Sequence, residues 1–228
     1  MAEQAHRARK ITPIKLGGVW AYLIEVQDGF VLIDTGTPEK RERLIEQLAA
    51  AGCVPGTLRL VLLTHGDYDH AGNAAYLRDT HVTKIAMHRE DVIRTSTGDW
   101  NRNLKAEPDH FSPLFRLVSK LIRPGLFDAF TPDFTVGDGE SLASHGLDAT
   151  VIDLPGHTWG SIGILLPDGT LFCGDLMDGI WRPGLEFFIN DLDAARASLR
   201  RLSTLDVGLV YPGHGKPFDF ERVNATRW

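Results

Sequence analysis

The stretch Thr64-His65-Gly66-Asp67-Tyr68-Asp69-His70-Ala71-Gly72 governs how the rest of this sequence is read. It follows directly on Leu58 to Thr64, an almost wholly apolar run of strand length, so it begins where a strand buried on both faces would end. His65, Asp67, Asp69 and His70 are side chains that bind metals. A strand-to-helix turn can point such closely spaced groups into one small volume. Burying so many carboxylates and imidazoles is costly unless a cation compensates them. Taken alone, the stretch also fits a solvated loop in which Asp67 and Asp69 begin a turn and cap the next helix.

Three other apolar runs end in a similar way: Leu154-Pro155-Gly156-His157-Thr158, Cys173-Gly174-Asp175 and Tyr211-Pro212-Gly213-His214-Gly215. With these motifs in this order, the sequence resembles the metallo-β-lactamase superfamily from Phe30 to about Phe218. The resemblance implies an α/β fold, a four-layer αββα sandwich of two mixed β-sheets of the glyoxalase II-like type, with two divalent metal ions between the sheets. Carried over position by position, His65, Asp67 and His157 would hold the first ion. Asp69, His70 and His214 would hold the second, and Asp175 would bridge both. Asp34, in Leu32-Ile33-Asp34-Thr35-Gly36, matches the acidic residue that ends an early strand in this family and orients a ligand. On its own residues, Asp34 also reads as a turn carboxylate.

One position departs from the family pattern. The first motif there usually reads His-x-His-x-Asp-His, and here the second His is Asp67. The first metal position is therefore built with a carboxylate, or it is weak or empty. Zinc is the first expectation, and the oxygen ligand shifts preference toward iron or manganese. The implied activity is that of a dinuclear metallo-hydrolase, in which a metal-bound hydroxide cleaves an ester, thioester, lactone or amide bond of a small molecule. Asp69 and Asp175 are the expected catalytic carboxylates, with Asp69 carrying a proton to the leaving group. Two alternatives stand beside this: a di-iron redox protein of flavodiiron-like type, and a degenerate metal-binding module without catalysis. The chain ends at Trp228, soon after His214, whereas glyoxalase II-like relatives carry a longer C-terminal extension that helps hold glutathione; a different substrate is expected.

Composition narrows the remaining classes. With 228 residues, 43% of them hydrophobic and 24% charged, the chain suits one globular domain over 1–228. A net charge of −6 leaves no basic surface for nucleic acid. Cys53 and Cys173 make no disulfide framework, and the longest apolar runs are far too short to span a membrane. The N-terminal residues carry no secretory pattern, so a cytoplasmic protein with a small-molecule substrate and no membrane partner is expected. Alternation and turn signals predict strands at 11–16, 19–26, 30–34, 58–64, 84–87, 150–154, 161–166, 170–173 and 207–211. Helices are expected at 39–51, 71–79 and 191–202, the last capped by Asp191 or Asp193. Residues 94–132 break the rhythm and read as an inserted lid with an amphipathic helix over 110–123. Tyr68, between two implied ligands, and Trp159, just after His157, are candidate substrate contacts; either ring also reads as ordinary packing.

Overall fold

A computed structural model describes residues 10–111 and 127–223. In chain order the first half forms β1 (Ile11–Leu16), β2 (Val19–Val26), β3 (Gly29–Ile33), α1 (Arg41–Ala50), β4 (Leu58–Leu62), α2 (Tyr68–Ala71), α3 (Ala74–His81), β5 (Lys84–His88), α4 (Val92–Thr97), β6 (His110–Phe111) and β7 (Phe134–Val136). The second half forms β8 (Thr150–Asp153), β9 (Ile162–Leu165), β10 (Leu171–Gly174), β11 (Met177–Asp178), β12 (Gly184–Leu185), β13 (Phe188–Ile189), α5 (Leu192–Leu202), β14 (Leu209–Pro212) and β15 (Phe218–Asp219).

Two mixed sheets dominate. The first has the order β1-β2-β3-β4-β5-β7, antiparallel through β3 and parallel from β3 onward. The second has the order β15-β14-β10-β9-β8, in which only β10 and β14 run parallel. Period-2 alternation sorts the apolar side chains of each strand onto two faces. Ala21, Leu23, Leu32 and Val61 pack outward against Leu44 and Leu48 of α1 and Leu77 of α3. Tyr22, Ile24, Val31, Ile33, Leu60 and Leu62 face Val151, Ile164 and Phe172 of the other sheet. Leu171, Cys173 and Val210 face Ala195, Leu199 and Leu202 of α5. Three apolar layers thus separate four layers of secondary structure, the αββα sandwich.

Directionality gathers the motif loops. The segments carrying Asp34, His65, His157, Asp175 and His214 follow the C-terminal ends of β3, β4, β8, β10 and β14. The two sheets are tied beneath them: Ile162 N donates to Thr64 O at 2.9 Å, Trp20 N to Gly213 O at 2.9 Å, and the buried Tyr22 hydroxyl to Pro212 O at 2.6 Å.

Several expectations change in detail. The helix expected over 71–79 is two helices, because Asn73 turns away to donate from Nδ2 to Thr35 O and Thr37 O, both at 2.8 Å. Asp191, not Asp193, caps α5: its Oδ1 accepts from Ala194 N at 2.8 Å. The amphipathic helix does not begin at His110, since His110–Phe111 is a strand paired with β13; 112–123 lie outside the described residues. The irregular stretch opens with a helix, α4. No helix among the described residues is long and apolar enough to cross a membrane.

Val82, 79% exposed, ends α3 in the left-handed conformation with φ 54° and ψ 47°. That conformation costs an L-residue roughly 1–2 kcal/mol, and glycine adopts it freely. Val82→Gly is expected to raise the unfolding free energy by about 0.5–1 kcal/mol after glycine's larger chain entropy is offset. A urea titration that gave an equal or lower midpoint would contradict this assignment of strain.

Candidate metal centre

The rings of four histidines are oriented from behind by acceptors. Asp34 sits at φ 59° at the end of β3. Its Oδ1 accepts from Thr64 N at 2.8 Å, and its Oδ2 accepts from Thr64 Oγ1 at 2.8 Å and from His70 Nδ1 at 2.8 Å. Because the Thr64 hydroxyl proton points to Asp34, Thr64 Oγ1 accepts from His65 Nδ1 at 2.9 Å. His157 Nδ1 donates to Phe188 O at 2.8 Å, and His214 Nδ1 to Gly18 O at 2.9 Å. Each ring therefore carries a proton on Nδ1 and turns Nε2 to the centre.

Those Nε2 atoms surround one carboxylate. Asp175 Oδ2 lies 3.1 Å from His214 Nε2, 3.3 Å from His70 Nε2, 3.8 Å from His65 Nε2 and 4.0 Å from His157 Nε2. Two groups offer ligand atoms within 4.8 Å of one another: His65, His157 and Asp175, and Asp69, His70 and His214. Asp69 Oδ2 stands 3.4 Å from His214 Nε2, and its side chain is a third exposed while His65, His70 and Asp175 are buried. His65 Nε2, His70 Nε2 and Asp175 Oδ1 are buried without a hydrogen-bond partner. Orphaned buried polar atoms are costly, and a cation placed among them would satisfy all three. The donor set, imidazole nitrogens and carboxylate oxygens, suits a transition-metal dication. The close approach needs glycine at 213, where a Cβ would collide with Asp175 Oδ1 and His70 Cε1.

Asp67 stands apart from both groups. Its Oδ2 is 3.2 Å from His157 Nε2 and 3.9 Å from His65 Nε2, while its Oδ1 is held by Arg94 Nη2. Arg94 was missed by sequence reasoning, since it falls where the chain looked irregular and carries no motif spacing to the histidines. Tyr68 places its hydroxyl on Glu39 and packs its ring with Phe127 at 6.4 Å, in the outer apolar layer. Trp159 is 36% exposed, two residues beyond His157. Cys173 is buried in the layer beneath α5, and burial pushes its thiol up.

The electrostatics follow from crowding. Burial holds His65 well below the usual imidazole range, reinforced by neighbouring His70. Burial opposes charge on His70 and His214 too, yet Asp175 raises both well above that range. Asp175 is held low against its own burial, first by His214 and then by His70. Glu186, which accepts from Phe188 N at 2.6 Å, was also missed by sequence reasoning; its burial, then the Asp175 charge, pushes it up to about 7.

A raised carboxyl pKa stabilises the fold fully below its ordinary value near 4.5, and that contribution is lost as pH rises through about 7. The chelator-treated protein is expected to melt at lower temperature as pH rises from 5 to 8. Glu186→Gln should flatten that slope and be relatively more stable at pH 8. Parallel melting curves for the two proteins across this window would remove Glu186 as the cause.

Known proteins resemble this chain in sequence and in fold. The model of the metallo-β-lactamase superfamily matches residues 14–214. The chain is 32% identical over 223 residues to the probable metallo-hydrolase YqjP of Bacillus subtilis, covering 90% of this chain and 70% of that protein. It is 32% identical over 193 residues to the hydroxyacylglutathione hydrolase GloC of Haemophilus influenzae, covering 81% and 79%. Among solved structures, TTHA1623 in a di-iron-bound form superposes with a TM-score of 0.69 at 26% identity, covering 92% of this chain and 95% of that one. A sandwich with its motif loops at one edge, matched over nearly its whole length, makes this protein an enzyme of the metallo-β-lactamase superfamily, among its metallo-hydrolases.

Proposed function

We propose that this enzyme is a dinuclear hydrolase acting on a small molecule with an ester, thioester, lactone or amide bond. The convergence of four Nε2 atoms on Asp175, with buried atoms left unpaired, carries this proposal. His65, His157 and Asp175 would hold one ion, with Asp67 Oδ2 beside them. Asp69, His70 and His214 would hold the other, and Asp175 lies within reach of both groups. A pair of divalent cations held there would supply Lewis acidity for activating water and polarising a carbonyl.

The chain's own residues do the rest. Asp34 and Thr64 hold His65 and His70 in one orientation, with Nε2 of each toward the centre. Asp69, the carboxylate open to solvent, would accept a proton from the attacking water and release it to the leaving group; its exposure supports this role. Trp159, partly exposed beside the His157 loop, is the candidate apolar contact for substrate. Zinc is the first assignment. The carboxylate at Asp67 and the di-iron-bound TTHA1623 both favour testing iron. GloC, a hydroxyacylglutathione hydrolase by name, puts thioesters first in the substrate panel.

Metal content by mass spectrometry, measured without added metal or chelator, tests the proposal together with hydrolysis of thioester, ester and lactone panels. Two zinc ions per chain and turnover of one panel are expected. Two iron ions with no hydrolysis would move the assignment to redox chemistry, and a single ion without turnover to a non-catalytic module. Asp34→Asn keeps the size of the side chain but loses the charge that orients His70. It is expected to weaken metal binding or activity about 10–100-fold. Unchanged affinity and rate would deny Asp34 its orienting role.

A further inference from the structure

Arg94 is fully buried in α4, a rare position for a guanidinium unless it is paired. Its Nη2 meets Asp67 Oδ1, its Nη1 donates to Arg102 O at 3.0 Å, and its Nε lies 3.9 Å from Asp91 Oδ2. Asp91, also fully buried, accepts from Gly66 N at 2.8 Å, Thr158 Oγ1 at 2.8 Å and Gly160 N at 3.0 Å. One short segment thus braces the loop of His65 and the loop of His157 from behind. The packing is close: a Cβ on Gly66 would stand 3.0 Å from Arg94 Cβ and 3.2 Å from Arg94 Cδ.

We propose that Arg94 is a positioning residue of the metal centre, making a carboxylate at position 67 workable where an imidazole is usual. By holding Oδ1, Arg94 leaves Asp67 one oxygen to turn toward His157 and His65, as a histidine would offer one nitrogen. By its charge, Arg94 cancels the negative charge that Asp67 adds beside Asp175, so the pair approximates a neutral imidazole. This inference rests on the dinuclear proposal above. Asp67→His brings the sequence back to the usual family motif, yet it should weaken the centre, because the buried guanidinium loses the carboxylate bonded to its Nη2 and faces a dication with only Asp91, 3.9 Å away, to offset its charge.

The test is zinc affinity, measured on metal-free protein by competition with a chromophoric chelator, with metal per chain counted by mass spectrometry and folding checked by circular dichroism. Arg94→Met and Asp67→His are each expected to weaken the more labile ion at least 10-fold, on the scale of lost supporting contacts. The double variant Asp67→His/Arg94→Met should recover to within about threefold of the parent, because the guanidinium is removed together with its carboxylate while Asp91 keeps its bonds from Gly66, Thr158 and Gly160. An Arg94 that merely supported the fold would lower the melting temperature of the metal-free protein without this recovery. The inference is overturned if Asp67→His alone binds zinc as tightly as the parent, or if the double variant binds no better than Asp67→His. Should Arg94→Met fail to fold, the comparison of Asp67→His with the parent still decides. A parent chain that takes up no zinc or iron overturns the dinuclear proposal itself, and this inference with it.

Discussion

The three hydrogen bonds accepted by Asp34 set the geometry on which the centre depends. One carboxylate takes the backbone N–H of Thr64, its hydroxyl, and the Nδ1 proton of His70. Through the Thr64 hydroxyl it also fixes His65. The ends of the adjacent parallel strands β3 and β4 are thereby locked together, and two imidazoles are set in one tautomer. The backbone supports this at a cost, since Asp34 holds a positive φ that aspartate tolerates better than most residues. Without these bonds Nε2 of His65 and His70 would have no reason to face inward.

A second constraint is charge. Four imidazoles and the carboxylates of Asp67, Asp69 and Asp175 meet where two sheets close on one another, and water reaches chiefly Asp69. Charges so placed demand compensation close by. Some of it comes from within: the histidines against Asp175, and Arg94 against Asp67. The partners that remain missing, at His65 Nε2, His70 Nε2 and Asp175 Oδ1, are grouped at the centre rather than scattered. The surrounding sandwich makes this tolerable by rigidity. Apolar layers lie on both sides of each sheet, and Tyr22, Phe172 and Tyr211 form an aromatic cluster with ring centroids 5.2 Å apart.

Sequence periodicity read the long strands well and the short ones poorly, for a physical reason. Seven of the eight residues of β2 are apolar and divide between two apolar layers, and an apolar run of that length is visible without coordinates. Strands β6, β11, β12, β13 and β15 have two residues each, too few to express a period. The break at Asn73 was hidden likewise, because the carbonyls that receive its amide belong to residues 35 and 37, distant in sequence.

What the sequence determined by itself was the inventory: which strands are buried on both faces, and which histidines and aspartates follow their ends. Those are local properties, of alternation, turn chemistry and spacing; the sandwich followed from the resemblance of the four motifs to the metallo-β-lactamase superfamily. Only the tertiary structure decided how the aspartates divide their labour. Asp175 meets all four histidines, Asp69 opens to solvent, and Asp67 splits its oxygens between a histidine and Arg94. A carboxylate's role is set by the charges brought within a few ångströms of it, and those arrive from segments whose separation along the chain carries no signal.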